Sequence, residues 1–246
     1  MELRICHLYP DLLNLYGDRG NLMTLAGRAR WRGVTVRIDG IRLRDPLRPD
    51  AHDLYFIGGG EDRQQRLAAG DLRSGKGAAL KEAAARGAVV LAVCGGYQLL
   101  GHYYRPSEGE DLPGIGLLDL TTQHPGPTAP RLIGNLVIRC PLIGGATLVG
   151  FENHGGRTKL GPRVRALGEV VSGFGNNGMD HTEGAVAGQV YGTYLHGPLL
   201  PKNPRFADHL IAVALRRRYG EIALSPLDDT LEEGAHMAAV ARAARR

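Results

Sequence analysis

Cysteine is scarce in this 246-residue chain: Cys6, Cys94 and Cys140 are three, odd in number and far apart. A disulfide framework and a four-cysteine zinc site are thereby excluded. Long apolar runs are also missing. The longest, Ala88 to Val93, is far too short to cross a bilayer, and Met1 to Leu12 holds no apolar stretch of the signal-peptide kind. Lysine supplies only four of the thirty cationic side chains, and aromatic residues make up 6% of the chain. The net charge of +5 is not concentrated in basic blocks, apart from Arg216-Arg217-Arg218 and the last few residues. A nucleic-acid footprint would cluster on one element, so none is expected. The Arg216 to Arg218 cluster itself is open to lipid head groups, a partner or water. These exclusions leave a globular protein of the cytoplasm, neither secreted nor membrane-spanning, with enough chain for a proper buried core.

What is present is strand–helix alternation. Leu3 to Leu8, Val34 to Ile41, Leu54 to Ile57 and Val89 to Val93 read as strands. The last is wholly apolar, as a strand buried on both faces of a parallel sheet should be. Between them, Asn21 to Trp31 and Leu80 to Ala85 carry helical spacing, Gly87 closing the second. The pattern predicts an α/β fold with a mostly parallel sheet flanked by helices. After Gly101 glycine and proline become dense, and Leu117 to Thr121, Leu136 to Ile138, Thr147 to Glu152 and Ala185 to Leu195 read as strands, giving a strand-rich second half. Asn203 and Pro204 open a helix that Gly220 ends. Thr230 and Glu233 form a capping-box signature before a final helix, Leu231 to Ala244. Residues 1–220 are read as one domain, with 221–246 a helical extension packed on or beside it.

The chemistry concentrates at Val89 to Gly101, where an apolar strand runs into Cys94-Gly95-Gly96 and then a helix. A nucleophile at such a corner projects from the carboxyl edge of the sheet. The helix amino terminus would favour the thiolate and offer N–H groups to an oxyanion. Cys6 and Cys140 have no such context and read as buried core. A thiol nucleophile needs a base, and of nine histidines His196, between an alternating strand and a Gly-Pro turn, is the leading candidate, with His154 second. Spacing alone does not pair either with Cys94. Gly70 to Gly77 nearly matches a phosphate-binding Walker loop but lacks its terminal Ser/Thr and a preceding strand, so it reads as a surface loop without ATP.

The blocks Cys94-Gly95-Gly96-Tyr97-Gln98-Leu99-Leu100-Gly101 and Tyr191-Gly192-Thr193-Tyr194-Leu195-His196-Gly197 resemble the class I glutamine amidotransferases of the CobB/CobQ group. Tyr9-Pro10-Asp11-Leu12-Leu13-Asn14-Leu15-Tyr16-Gly17-Asp18-Arg19-Gly20-Asn21 is similar to the glutaminase subunits of lipid II isoglutaminyl synthases. Ile57 to Asp62 and Gly150 to Thr158 fit the same family, so the resemblance runs from the first strand to about Pro198.

The resemblance implies a flavodoxin-like sheet, with Cys94 as nucleophile on glutamine and His196 as base and acid. It implies oxyanion donors at Gly95 and in the Gly58 to Gly60 turn, chiefly Gly59 and Gly60. Gln98 and Arg131 would bind substrate, the arginine fork suiting an α-carboxylate. No metal or cofactor is implied in this chain. ATP and magnesium belong to the expected partner, a MurT-like Mur ligase subunit working on lipid II at the inner face of the membrane. A corrin carboxylate as acceptor and a silent scaffold subunit are the rival readings.

Two departures bear on mechanism. Pro198 stands where the wider class often has a glutamate two residues past the histidine. The site is then a dyad, or a carboxylate comes from the partner. Ala92 replaces a frequent glycine, with little effect expected. Tyr9 to Asn21 is open to two readings: a contact for substrate or partner, or simply a loop in which Asp18 caps the next helix.

Overall fold

The computed structural model describes residues 1–245. In chain order it comprises β1 (Glu2–Leu8), α1 (Arg19–Arg30), β2 (Thr35–Ile41), β3 (Leu54–Ile57), α2 (Asp62–Asp71), α3 (Gly77–Ala85), β4 (Val89–Val93) and α4 (Gly95–Leu100). There follow the short strands β5 (Tyr103–Arg105), β6 (Leu112–Pro113) and β7 (Leu120–Gln123), then β8 (Leu132–Arg139), β9 (Thr147–His154), β10 (Arg157–Leu160) and β11 (Gly168–Ser172). The chain closes with β12 (Thr182–Glu183), β13 (Ala185–Ala187), β14 (Val190–Thr193), α5 (Pro204–Tyr219) and α6 (Thr230–Ala243).

The central sheet has the order β13-β14-β4-β3-β1-β2, parallel throughout except for β13 at its edge. Its middle strands are apolar because both faces are covered: every residue of β3 and β4 is buried. The outer strand β2 alternates and carries Arg37 and Asp39, as an exposed edge should. Helix α1 turns Leu22, Leu25, Ala26 and Ala29 inward, and α5 does the same with Phe206, Leu210, Ile211, Ala214 and Leu215.

Between α1 and α5 lies buried Arg28. It donates to both oxygens of Asp208 at 2.7 and 2.8 Å and to both oxygens of Asp229 at 2.5 and 2.9 Å. This fork ties the carboxyl-terminal segment to the sheet domain. At the other end of α5, Arg218 reaches buried Asp53 and Arg217 donates to the His52 and Arg86 carbonyls. Those two arginines are engaged within the fold.

The second half forms two four-stranded sheets, β10-β7-β5-β6 and β12-β11-β8-β9. Strands β5, β6, β11 and β12 escape the sequence reading because they are short or half exposed and flanked by glycine. Helix α6 lies on the β8–β9 sheet through Val137, Val149 and Ala243.

Three local expectations are corrected. Gly70 to Gly77 is no loop: α2 passes through one wide turn at Leu72–Lys76 into α3, and the Lys76 ammonium is buried between Asp71 and the Arg42 carbonyl. A lysine so held has no freedom to meet a phosphate. Thr230 is the first residue of α6 and bonds Asp228, so no capping box forms. The Asn203 amide bonds Val149 and Leu199 instead of capping α5.

Candidate active site

Parallel strands deliver their carboxyl ends to one edge, and the turns after β1, β3, β4 and β14 all meet there. Cys94 follows β4 directly, at φ +50°, a conformation that non-glycine residues rarely adopt and that lifts the thiol off the strand. Its N–H donates to the Thr193 carbonyl at 2.8 Å, tying it to β14. His196 lies three residues past β14. Two backbone bonds with Phe151 on β9, of 2.7 and 3.1 Å, clamp it. The β14–β4 register thus brings together two residues that spacing alone does not pair.

Gly59 lies between them. A side chain there would stand 2.9 Å from His196 Cε1 and 3.3 Å from Cys94 Cβ, so only glycine leaves the gap. The Gly59 N–H is already taken: it donates to Asp18 Oδ2 at 2.6 Å. This departs from the expectation that it faces an oxyanion. Gly95 opens α4, so its N–H has no acceptor within the helix. Gly60, whose carbonyl accepts from Gln65 Nε2 at 2.9 Å, lines the cleft beside Cys94.

The sequence reading missed the carboxylate behind His196. Asp18 is buried, with its second oxygen, Oδ1, 3.7 Å from His196 Nδ1, within ion-pair reach though longer than a hydrogen bond. Asp18 does not cap α1; Asn14 Oδ1 accepts the Arg19 N–H at 2.9 Å instead. Gly20 and Asn21 complete the wall. A side chain at Gly20 would sit 2.5 Å from Pro198 Cγ, and Asn21 Oδ1 accepts the Leu200 N–H at 2.9 Å. The Tyr9 to Asn21 block therefore packs on the turn that follows the histidine. The signal available for Asp18 was its place in the turn after β1, at the same sheet edge as Cys94.

Burial opposes a charge on His196, but the neighbouring Cys94 and Asp18 outweigh it and raise the imidazole to about 10. His154 is a poorer base. Its ring stacks on Tyr194 at 3.6 Å, its Nδ1–H donates to the Gly156 carbonyl at 2.8 Å, and burial depresses its basicity. Cys6 and Cys140 are buried, and desolvation pushes both thiols up. Neither reaches the site.

Cys94 opens into a cleft of about 740 Å³ bordered by Tyr16, Gly60, Gln98, Tyr104, Arg131 and Asn153. Gln98 is buried one turn along α4, with its Nε2 donating to the Tyr194 hydroxyl at 3.2 Å and its Oε1 unpartnered. Tyr194 bonds Thr158 at 2.7 Å, and Thr158 bonds Thr122 at 2.7 Å, so a buried polar chain fixes Gln98 from behind. Arg131 is exposed at the mouth, held by Asn153. Cys94, Gly60, Gln98 and Arg131 thus border one cleft, while Gly95 follows Cys94 in the chain and His196 is buried behind it across Gly59.

The model of the CobB/CobQ-like glutamine amidotransferase domain matches residues 4–204. The chain is 41% identical over 245 residues to the lipid II isoglutaminyl synthase (glutamine-hydrolyzing) subunit GatD of Staphylococcus aureus, covering all of this chain and 98% of that one. To the Streptococcus pneumoniae subunit of the same name it is 39% identical, over 94% of this chain and 88% of that one. A cobyric acid synthase of Pelotomaculum thermopropionicum is 36% identical over 88% of this chain but only 41% of its own length. Among solved structures, a glutamine amidotransferase of Thermotoga maritima aligns over 99% of both chains with TM-score 0.54 at 14% identity. A second glutamine amidotransferase aligns at TM-score 0.56 over 85% of this chain.

Proposed function

The chain belongs to the CobB/CobQ-like glutamine amidotransferase family, and on that premise we propose that it is the glutaminase subunit of a lipid II isoglutaminyl synthase. The observation that carries the chemistry is the meeting of Cys94, His196 and Asp18 at one sheet edge, where Cys94 opens into a cleft with a cationic fork at its mouth. The acceptor reading is supported by relatives bearing that name over nearly their whole length.

Glutamine enters with its α-carboxylate toward Arg131 and its side-chain amide toward Cys94. The thiolate attacks the amide carbon, and the oxyanion that forms is held by the Gly95 and Gly60 N–H groups. His196, protonated beside Asp18, gives its proton to the departing nitrogen, so the carbon–nitrogen bond breaks and ammonia leaves. A γ-glutamyl thioester remains on Cys94. His196, now neutral, takes a proton from water, whose oxygen attacks the thioester and releases glutamate. Gln98, fixed by Tyr194, borders the cleft as a further polar contact for substrate.

Ammonia passes to a MurT-like ligase subunit in the cytoplasm, at the inner face of the membrane. That subunit, with ATP and magnesium, activates the α-carboxyl of D-glutamate in the stem peptide and receives the ammonia as an amide. Shielding the ammonia from water limits its loss by protonation. No helix among the described residues is long and apolar enough to cross a membrane.

The test is amidation of lipid II by the two subunits together, read by mass spectrometry. Glutamine-dependent amidation should vanish in Cys94→Ser, while ammonium salts in place of glutamine should restore it. Glutamine-dependent amidation that survives Cys94→Ser would overturn the proposal.

A further inference from the structure

We propose that Asn153 is the positioning residue that presets Arg131 for the substrate α-carboxylate, and that Tyr16 locks Asn153 in place. The inference rests on the glutaminase reading above and goes beyond it in naming what orients the clamp. Arg131 is an exposed side chain at the mouth of the cleft, and a free arginine there would lose considerable rotamer entropy on binding substrate. Here two hydrogen bonds already order it. The Arg131 Nε–H donates to Asn153 Oδ1 at 2.8 Å, and its Nη2 donates to the Asn153 backbone carbonyl at 3.0 Å.

Those two bonds fix one edge of the guanidinium plane and leave Nη1 free to point elsewhere. Nη1 lies over Gly155, where a side chain would approach it to 3.5 Å.

The amide of Asn153 has a single orientation because arginine only donates: its oxygen faces Arg131 and its nitrogen faces away. That nitrogen donates to the Tyr16 hydroxyl at 2.8 Å. Tyr16 in turn sits edge-on to the His196 ring, with centroids 5.0 Å apart, and packs near Phe151 on the same strand as Asn153. Its backbone is left-handed at φ +52°, in the loop after β1. The chain Arg131–Asn153–Tyr16 therefore runs from the carboxylate clamp to the face of the catalytic histidine. Asparagine suits the middle place: aspartate would pair with Arg131 and cancel its charge.

The experiment is steady-state ammonia release from L-glutamine by the full chain with its ligase subunit, in wild type, Asn153→Ala, Asn153→Asp and Tyr16→Phe. Unfolding temperature is measured with and without glutamine. Losing one hydrogen bond to a charged group should raise KM in Asn153→Ala by about tenfold, with kcat changed by less than about threefold. Asn153→Asp should raise KM further yet melt no lower than Asn153→Ala. Tyr16→Phe, which keeps the ring, should show the smallest rise, and glutamine-induced stabilisation should fall in the same order. Unchanged KM in both Asn153 variants would overturn the inference, as would KM, kcat and unfolding temperature all worsening together. A folded wild-type complex that releases no ammonia would overturn both this inference and the function it rests on.

Discussion

Asp18 uses its two oxygens on two different parts of the site: Oδ2 accepts the Gly59 N–H at 2.6 Å, and Oδ1 faces His196 Nδ1 at 3.7 Å. One carboxylate thus joins the glycine turn after β3 to the imidazole after β14. Pro198 supplies no carboxylate after His196, and this chain places Asp18 beside the imidazole. The longer of the two distances lies within ion-pair reach and beyond hydrogen-bond length.

Replacing Asp18 by Asn should remove the charge that favours the imidazolium while leaving the volume intact. Turnover is expected to fall by about 100-fold. Because His196 stands near 10 in the intact site, its protonated form persists through the neutral range. Losing the carboxylate lowers that value, so the alkaline limb of the kcat profile should move to lower pH. A pH profile of ammonia release checks both, and an unmoved limb would show that Asp18 does not act through His196.

Gly59→Ala should separate catalysis from folding. The new methyl would sit 2.9 Å from His196 Cε1 and 3.3 Å from Cys94 Cβ, so the two reacting side chains must part. Displacement on the scale of an ångström costs about 100-fold in rate, and that loss in kcat is expected here with a thermal transition close to wild type. Kinetics and a melting curve on the same preparation test it.

Arg28→Ala should destabilise the fold by about 3–5 kcal/mol, because Asp208 and Asp229 would face each other without their cation. Denaturant unfolding measures it. Arg32, which also bonds Asp208 at 2.7 Å, limits the damage on that side, so adding Asp229→Asn should recover part of the loss.

Glu183 gives the fold a pH dependence of its own. It is buried, accepting from the Thr193 hydroxyl at 2.6 Å and the Tyr194 N–H at 2.8 Å, and its other oxygen is unpartnered. Desolvation raises it from 4.5 to about 7. A group whose folded value is raised contributes stability below its unfolded value and loses it as pH climbs through the folded one. Stability should therefore drop on the order of 2 kcal/mol between pH 4.5 and 7 on account of this group. Glu183→Gln should flatten that slope, which chemical denaturation at several pH values would show.

The parallel sheet was legible because β3 and β4 are apolar at every position and α1 and α5 carry unbroken stripes, so periodicity and burial agree. Cys94 was legible for a local reason: strand, cysteine, two glycines and helix are contiguous. Asp18 and Asn153 were not. Each acts through partners that only the fold brings close, Gly59 and His196 for Asp18 and Arg131 and Tyr16 for Asn153, and an aspartate ahead of a helix looks like a cap until the fold shows Asn14 in that role. Strands of three to five residues among glycines, such as β5 and β11, carry too little alternation to be read, yet β5 brings Tyr104 into the cleft. The near-Walker segment, read as a surface loop, is helical instead, since its glycines conceal that α2 runs through one wide turn into α3.

The decisive measurement is ammonia release from L-glutamine by the folded wild-type chain with its ligase subunit, beside Cys94→Ser and His196→Ala. Release by wild type and its loss in both variants, with circular dichroism unchanged, is the expected result. Persistent release in Cys94→Ser, or none from folded wild type, would contradict a thiol-dependent glutaminase.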